Sequence, residues 1–200
     1  MCLTAVHIQA HVATEDIKCY KILQKDMKSY YHVDFQWEIG KLYKTEMETK
    51  NRNPQIIGQA FHSYYTYLDA QEIHIHTGKP SLVVECTIPK GAIYFKGYHG
   101  YDILGYASNQ IIVNRVIPQE ELFPDFDFEK FPYKVGQKIK VFDNDDKYGT
   151  CMTIEEIVPN DECVYIKTNY IVKSMCVWTL MTDIEGQPPF SYSPSITIIE

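Results

Sequence analysis

Residues 81–117, SLVVECTIPKGAIYFKGYHGYDILGYASNQIIVNRVI, decide how the first half of the chain is built. SLVVECTI is an apolar run of strand length, rich in β-branched residues. PKGA halts it, because Pro89 cannot donate to a ladder and Gly91 accepts a positive φ at no steric cost. AIYFKG and NQIIVNRVI then read as two further strands. Upstream, IKCYKIL (17–23) alternates apolar and polar residues, and FQWEIGKLYKT (35–45) is a second extended run bent at Gly40. Between them and the quoted stretch, IIGQAFHSY is a strand or turn, and YLDAQEIHIH (67–76) predicts a helix that starts near Asp69 and stops at Thr77 and Gly78. Residues 1–117 are therefore expected to form an α+β domain in which strands dominate.

The texture changes at PQEELFPDFDFEKFP (118–132), where three prolines and a run of acidic residues alternate with phenylalanines. This segment is expected to be a linker whose Phe side chains dock on a neighbour. After it, KIKVFD, TCMTIEEIV, ECVYIKTNY and MCVWTLMTDI are short strands joined by turns too short for crossover helices, so residues 133–200 predict a small SH3-like β-barrel.

At 45% hydrophobic and 14% aromatic residues, 200 positions suffice for one substantial core or two small ones. Apolar runs such as IIV (111–113) stop far short of the roughly 20 residues that cross a bilayer. The start, MCLTAVHIQAHVATED, has no basic region and its apolar residues are interrupted by His7, Gln9 and His11, unlike a secretory leader. A soluble cytoplasmic protein without a membrane partner is expected. A net charge of −7, with Arg at 52 and 115 alone, is unsuited to tracking phosphate backbones, so nucleic acid is not an expected partner. Six cysteines without a CxxC pair read as reduced, mostly buried thiols.

FHSYYTYLDAQEIHIH (61–76) concentrates histidine and tyrosine. His62, His74 and His76 approach a metal set only if HIH is extended, since a helix turns His74 and His76 about 200° apart. His7 and His11 have i, i+4 spacing but no catalytic Glu between them. NDDKYGTCMTIE (144–155) fits a calcium loop at Gly149 and Glu155 and fails at Tyr148, where an oxygen ligand is needed. Cys2 is expected to be structural, without a base beside it. No metal site and no cofactor are expected. The tyrosines at 64, 65, 67, 94, 98, 101 and 106 are suited to sandwiching a planar ring, and predict an aromatic cleft.

The order IIGQAFHSY, helix, SLVVECTIPKGAIYFKG, YASNQIIVNRVI resembles the core of ADP-ribosyltransferase-like folds over about residues 17–117. The resemblance implies a serine-bearing strand before a helix, a Pro-Lys-Gly turn, and a glutamate ahead of the closing strand. The family's first-strand Arg or His falls near Lys21, its serine motif on His62, Ser63 and Tyr64, and its glutamate motif on Ser108, Asn109 and Gln110. Only Ser63 matches, and neutral Gln110 cannot stabilise an oxocarbenium-like centre. MCL, CYKIL, FHSY and IPKGA also resemble uncharacterised small bacteriophage proteins. The expectation is a non-catalytic phage-type protein that antagonises host defence by binding an NAD-derived or related nucleotide. Its cleft would be lined by Lys21, His62, Ser63, Tyr64, Tyr94, Tyr106, Asn109 and Gln110. The alternatives are an interaction module that forms a homo-oligomer or docks a host protein, and a divergent transferase or NAD glycohydrolase in which His62, Glu85 or another acid has taken over.

Overall fold

The computed structural model describes residues 3–5, 9–29, 34–47, 49–50, 56–76, 80–99, 103–131, 133–142, 150–159, 164–168, 178–180 and 195–198. Its strands are β1 (Leu3–Ala5), β2 (His11–Val12), β3 (Ile17–Gln24), β4 (Leu42–Lys44), β5 (Thr49–Lys50), β6 (Ile56–Ile57), β7 (Phe61–Tyr64), β8 (Ser81–Ile88), β9 (Ile93–His99), β10 (Ile103–Ser108), β11 (Gln110–Val116), β12 (Lys138–Phe142), β13 (Thr150–Pro159), β14 (Val164–Thr168), β15 (Trp178–Leu180) and β16 (Ser195–Ile198). Two helices accompany them, α1 (Tyr67–His76) and the single turn α2 (Gln119–Leu122). The chain divides into two compact units, one holding residues 1–74 and 81–118, the other 75–80 and 119–200.

The first unit is one antiparallel sheet of 11 strands in the order β4-β11-β8-β3-β7-β10-β9-β1-β6-β5, with β2 also on β9. β10 and β11 are separated by Asn109 alone, yet β10 lies between β7 and β9 while β11 lies between β4 and β8. They are two halves of one bent strand, so the path β11-β8-β3-β7-β10 returns on itself. Asn109 holds the bend: its N–H donates to the Ile93 carbonyl, its side-chain oxygen accepts from Ile93 N–H, and its own carbonyl accepts from Thr45 N–H. Within this ring Cys19, Leu23, Trp37, Val84, Cys86, Ile88, Tyr106, Ile111 and Val113 make the main core. The opposite face of β9 and β10 carries a second cluster of Leu3, Ile57, Phe95 and Ala107.

The α+β expectation, and with it the ADP-ribosyltransferase-like fold, is corrected here. α1 is the one helix longer than a single turn among the described residues, and antiparallel pairing organises everything else. The local order strand, helix, strand is present as β7, α1, β8. It is embedded in a sheet that closes by bending a strand, which element order does not reveal. α1 begins two residues ahead of Asp69, because Thr66 and Asp69 cap it reciprocally: the Thr66 hydroxyl accepts from Asp69 N–H and the Asp69 carboxylate accepts from Thr66 N–H.

The second unit holds a five-stranded antiparallel sheet ordered β15-β14-β13-β12-β16. The described pairings form one antiparallel sheet with β15 and β16 at its ends, and this sheet stands in place of the expected SH3-like barrel. Phe131 is buried in its core with Ile139, Met152, Ile154, Ile157, Val164 and Ile166, and Phe126, Phe128 and Tyr133 pack against it. The segment 126–133 is thus part of that unit's core.

Gly97 marks the closest approach of β1 to β9: a Cβ there would overlap the Thr4 carbonyl and the Leu3 side chain. Gly40, with φ of 79°, has open space around it. Gly97→Ala is expected to cost about 2 kcal/mol or more, and Gly40→Ala about 1 kcal/mol through backbone strain alone. Urea denaturation of the two variants against the parent checks the order.

Candidate functional site

Strand alternation puts Cys19, Lys21 and Leu23 of β3 on the face that looks into the ring. β3 pairs with β8 along its length, setting Cys19 opposite Cys86 and Lys21 opposite Val84. With β7 it shares a single pair, Tyr20 with Tyr64. Beside that pair the Lys21 ammonium donates to the His62 carbonyl, and its nitrogen stands 5.0 Å from the centre of the Trp37 ring. Among the described residues the titratable groups acting on Lys21 are the thiols of Cys19 and Cys86, and no carboxylate contributes. Burial lowers its pKa. Burial likewise pushes Cys19 up to about 11 and Cys86 well above the ordinary thiol value, so both are neutral thiols and neither balances the ammonium.

The Trp37 indole N–H, on a residue 4% exposed, shares this environment without a hydrogen-bond partner, and the buried Ser63 hydroxyl lies against the Cys19 thiol, whose rise it restrains. Trp37 sits in a knot with Phe35, Tyr43 and Phe61, ring centres 4.8–6.4 Å apart. Phe35 is the most exposed of these, at 36%. Tyr106, buried in the same core, stacks on Tyr65 at 5.0 Å and meets Tyr94 edge-on at 5.6 Å.

The eight expected ligand-binding residues do not share one surface. Lys21, Ser63, Tyr94 and Tyr106 belong to the ring-facing side. The side chains of His62 and Tyr64 alternate to the opposite side, where both rings contact His99 at 5.5 and 5.3 Å. Asn109 is occupied by the strand bend, and Gln110 pairs with Lys44 while its carbonyl accepts from the Ser108 hydroxyl. Glu85 also leaves the ring-facing side, bridging Lys18 at 2.7 Å and Arg115 at 3.3 Å. Those cations, Lys18 foremost, hold its carboxyl below the usual range, which makes it a poor proton donor. His74 is helical and buried on Ser81, 2.6 Å from the hydroxyl, so it and His62 do not form the considered metal set. The side chain of His76, with His7, Tyr101, Cys2 and positions 143–149 of the calcium-like loop, lies outside the described residues.

His99, Cys19, Cys86 and Trp37 were not singled out by sequence. A signal for the two cysteines existed in strand period, since Cys19 and Lys21 share a face and Cys86 stands with Val84 on the same face of β8. His99 had none, because its neighbours come from three other strands. No protein-family model, curated protein or solved structure matches the chain. No described helix is long and apolar enough to cross a membrane.

Burial lowers His62 to about 3 and His99 to about 4, with the Lys21 charge a lesser cause for each. In the unfolded chain both titrate near 6.5. The unfolded state therefore binds protons first as pH falls, so stability is intact above about pH 6.5 and declines toward pH 4. Between pH 7 and pH 5 each ring accounts for about 1–2 kcal/mol of that decline. His99→Gln should flatten the pH dependence of the urea midpoint over this interval, whatever its effect on the midpoint at pH 7. An unchanged slope would show that folding does not lower the His99 pKa.

Proposed function

We propose that the first unit binds, without transforming it, an anionic small molecule carrying a planar ring, with nucleotides of the NAD-derived kind as the leading class. The observation that carries this reading is Lys21: a half-buried ammonium on the ring-facing side with no carboxylate among the described residues acting on it. An unbalanced buried cation is costly, and such groups concentrate at binding sites because an anion removes the cost. The Trp37 indole N–H adds a buried donor without an acceptor, which suits an anion and not a cation. Phe35, at the exposed edge of the aromatic knot, offers a face on which a ring can stack.

Transfer chemistry is not favoured on this face. The one nearby acid of the alternative reading, Glu85, is turned away and neutralised by Lys18 and Arg115.

A second reading rests on the same residue. Lys21 donates to the His62 carbonyl where β3 and β7 part, so it also serves as a structural staple in an interaction module.

Native mass spectrometry of the protein as purified, followed by calorimetric titration with ADP-ribose and NAD, separates the two. Binding at micromolar to low millimolar concentration that weakens about tenfold or more in Lys21→Met is expected, since a charge-assisted bond contributes about 1.5–3 kcal/mol. No bound mass and no heat at millimolar nucleotide overturns the ligand reading and leaves the staple, with a protein partner or a second copy to be sought.

A further inference from the structure

We propose that His62 and His99 form a binding site for a divalent transition-metal ion of the zinc or copper kind, on the face of β7 that the anion reading does not use. Each ring has one nitrogen committed. Nε2 of His62 lies 3.2 Å from the Gly58 carbonyl, and Nε2 of His99 lies 3.2 Å from the Ser63 carbonyl. A carbonyl only accepts, so both Nε2 atoms carry the hydrogen and both Nδ1 atoms keep a lone pair. Both Nδ1 atoms are buried and have no hydrogen-bond partner. Metal-ligating imidazoles are held in this way, the second nitrogen donating to a carbonyl that fixes tautomer and ring direction.

The spacing fits as well. Two imidazoles each about 2 Å from a shared ion at a trigonal to tetrahedral angle have centres roughly 5–6 Å apart. Here the centres are 5.5 Å apart, with planes inclined at 69°. The seat of His99 is shaped for the ring: a Cβ at residue 105 would overlap its Cδ2 and Nε2, and Tyr64 covers it edge-on at 5.3 Å. Gly105 is thus the residue that lets the imidazole lie against β10.

Among the described residues no third His, Cys, Asp or Glu completes a three-ligand cluster. The remaining positions therefore fall to water or to an external ligand. Lys21 works against the ion, since its charge acts on both rings. Its removal is therefore expected to strengthen metal binding while it weakens the anion binding of the other face, so either reading can fail alone.

The test is zinc titration of the metal-free full chain at pH 7, followed through the imidazole nitrogen resonances of 15N-histidine protein. The expected result is that one equivalent of zinc shifts Nδ1 of His62 and His99 together. That response should weaken about tenfold or more in His99→Gln, in His62→Gln and in Gly105→Ala, and persist in His11→Gln. Backbone amide dispersion confirms that each variant is folded, and His99→Gln carries the test if Gly105→Ala is not. Two rings unmoved at millimolar zinc, or zinc taken up with the shifts confined to cysteine neighbours, overturns the proposal.

Discussion

The bond between the Lys21 ammonium and the His62 carbonyl stands where the sheet of the first unit has its weakest seam. β3 and β7 share one residue pair, Tyr20 with Tyr64, and the carbonyl one step further on meets a side chain where a ladder would offer an amide. An ammonium makes a stronger bond to a carbonyl than an amide does, and the Trp37 ring below it returns part of the hydration lost. Without it a carbonyl in the wall of the core would be left unpaired, at a cost of about 1–3 kcal/mol. Ring closure and the presence of an interior charge are thus two aspects of one contact.

That contact also ties together the two faces of β7. Phe61 and Ser63 look toward the main core with Lys21, while His62 and Tyr64 look toward His99. Because alternation is strict over four residues, neighbours in sequence serve separate chemistry: the Lys21 and Trp37 donors on one side, acceptors without donors on the other. The sheet between them keeps the lone pairs of the imidazoles from the indole N–H. The Lys21 charge reaches both sides, through its effect on the ring pKa values.

Local pattern was enough to place β3, β8 and the turn at Gly91, where φ is 86°, because period-2 alternation and a Pro-Lys-Gly stop act within a few residues. Lys21 came to notice only through the family resemblance, although strand period makes it an ion between Cys19 and Leu23. The closure of the sheet was not legible. Asn109 and Gln110 read as amides available to a ligand, whereas Asn109 holds the bend of a long strand through Ile93 and Thr45. Nothing in their neighbours marks that bend, which is set by pairing with strands far away in sequence. Borrowing an element order from another fold reproduced β7, α1 and β8 and left the strand curvature that closes the sheet out of view. The histidine pair was hidden for the same reason: His62 invited comparison with the nearby His74 and His76, and its true neighbour lies two strands across the sheet.

The strand bent at Asn109 has a consequence for synthesis. β3 leaves the ribosome early, but its main partner β8 follows some sixty residues later, and the ring cannot close until Val116 has emerged to complete β11. At about 5–20 residues per second, the nascent chain carries the exposed apolar face of Cys19 and Leu23 for several seconds with no strand to cover it. The lysine between them gives that face a charge during this interval, a gatekeeper against pairing with other nascent chains before the native seam exists to receive it.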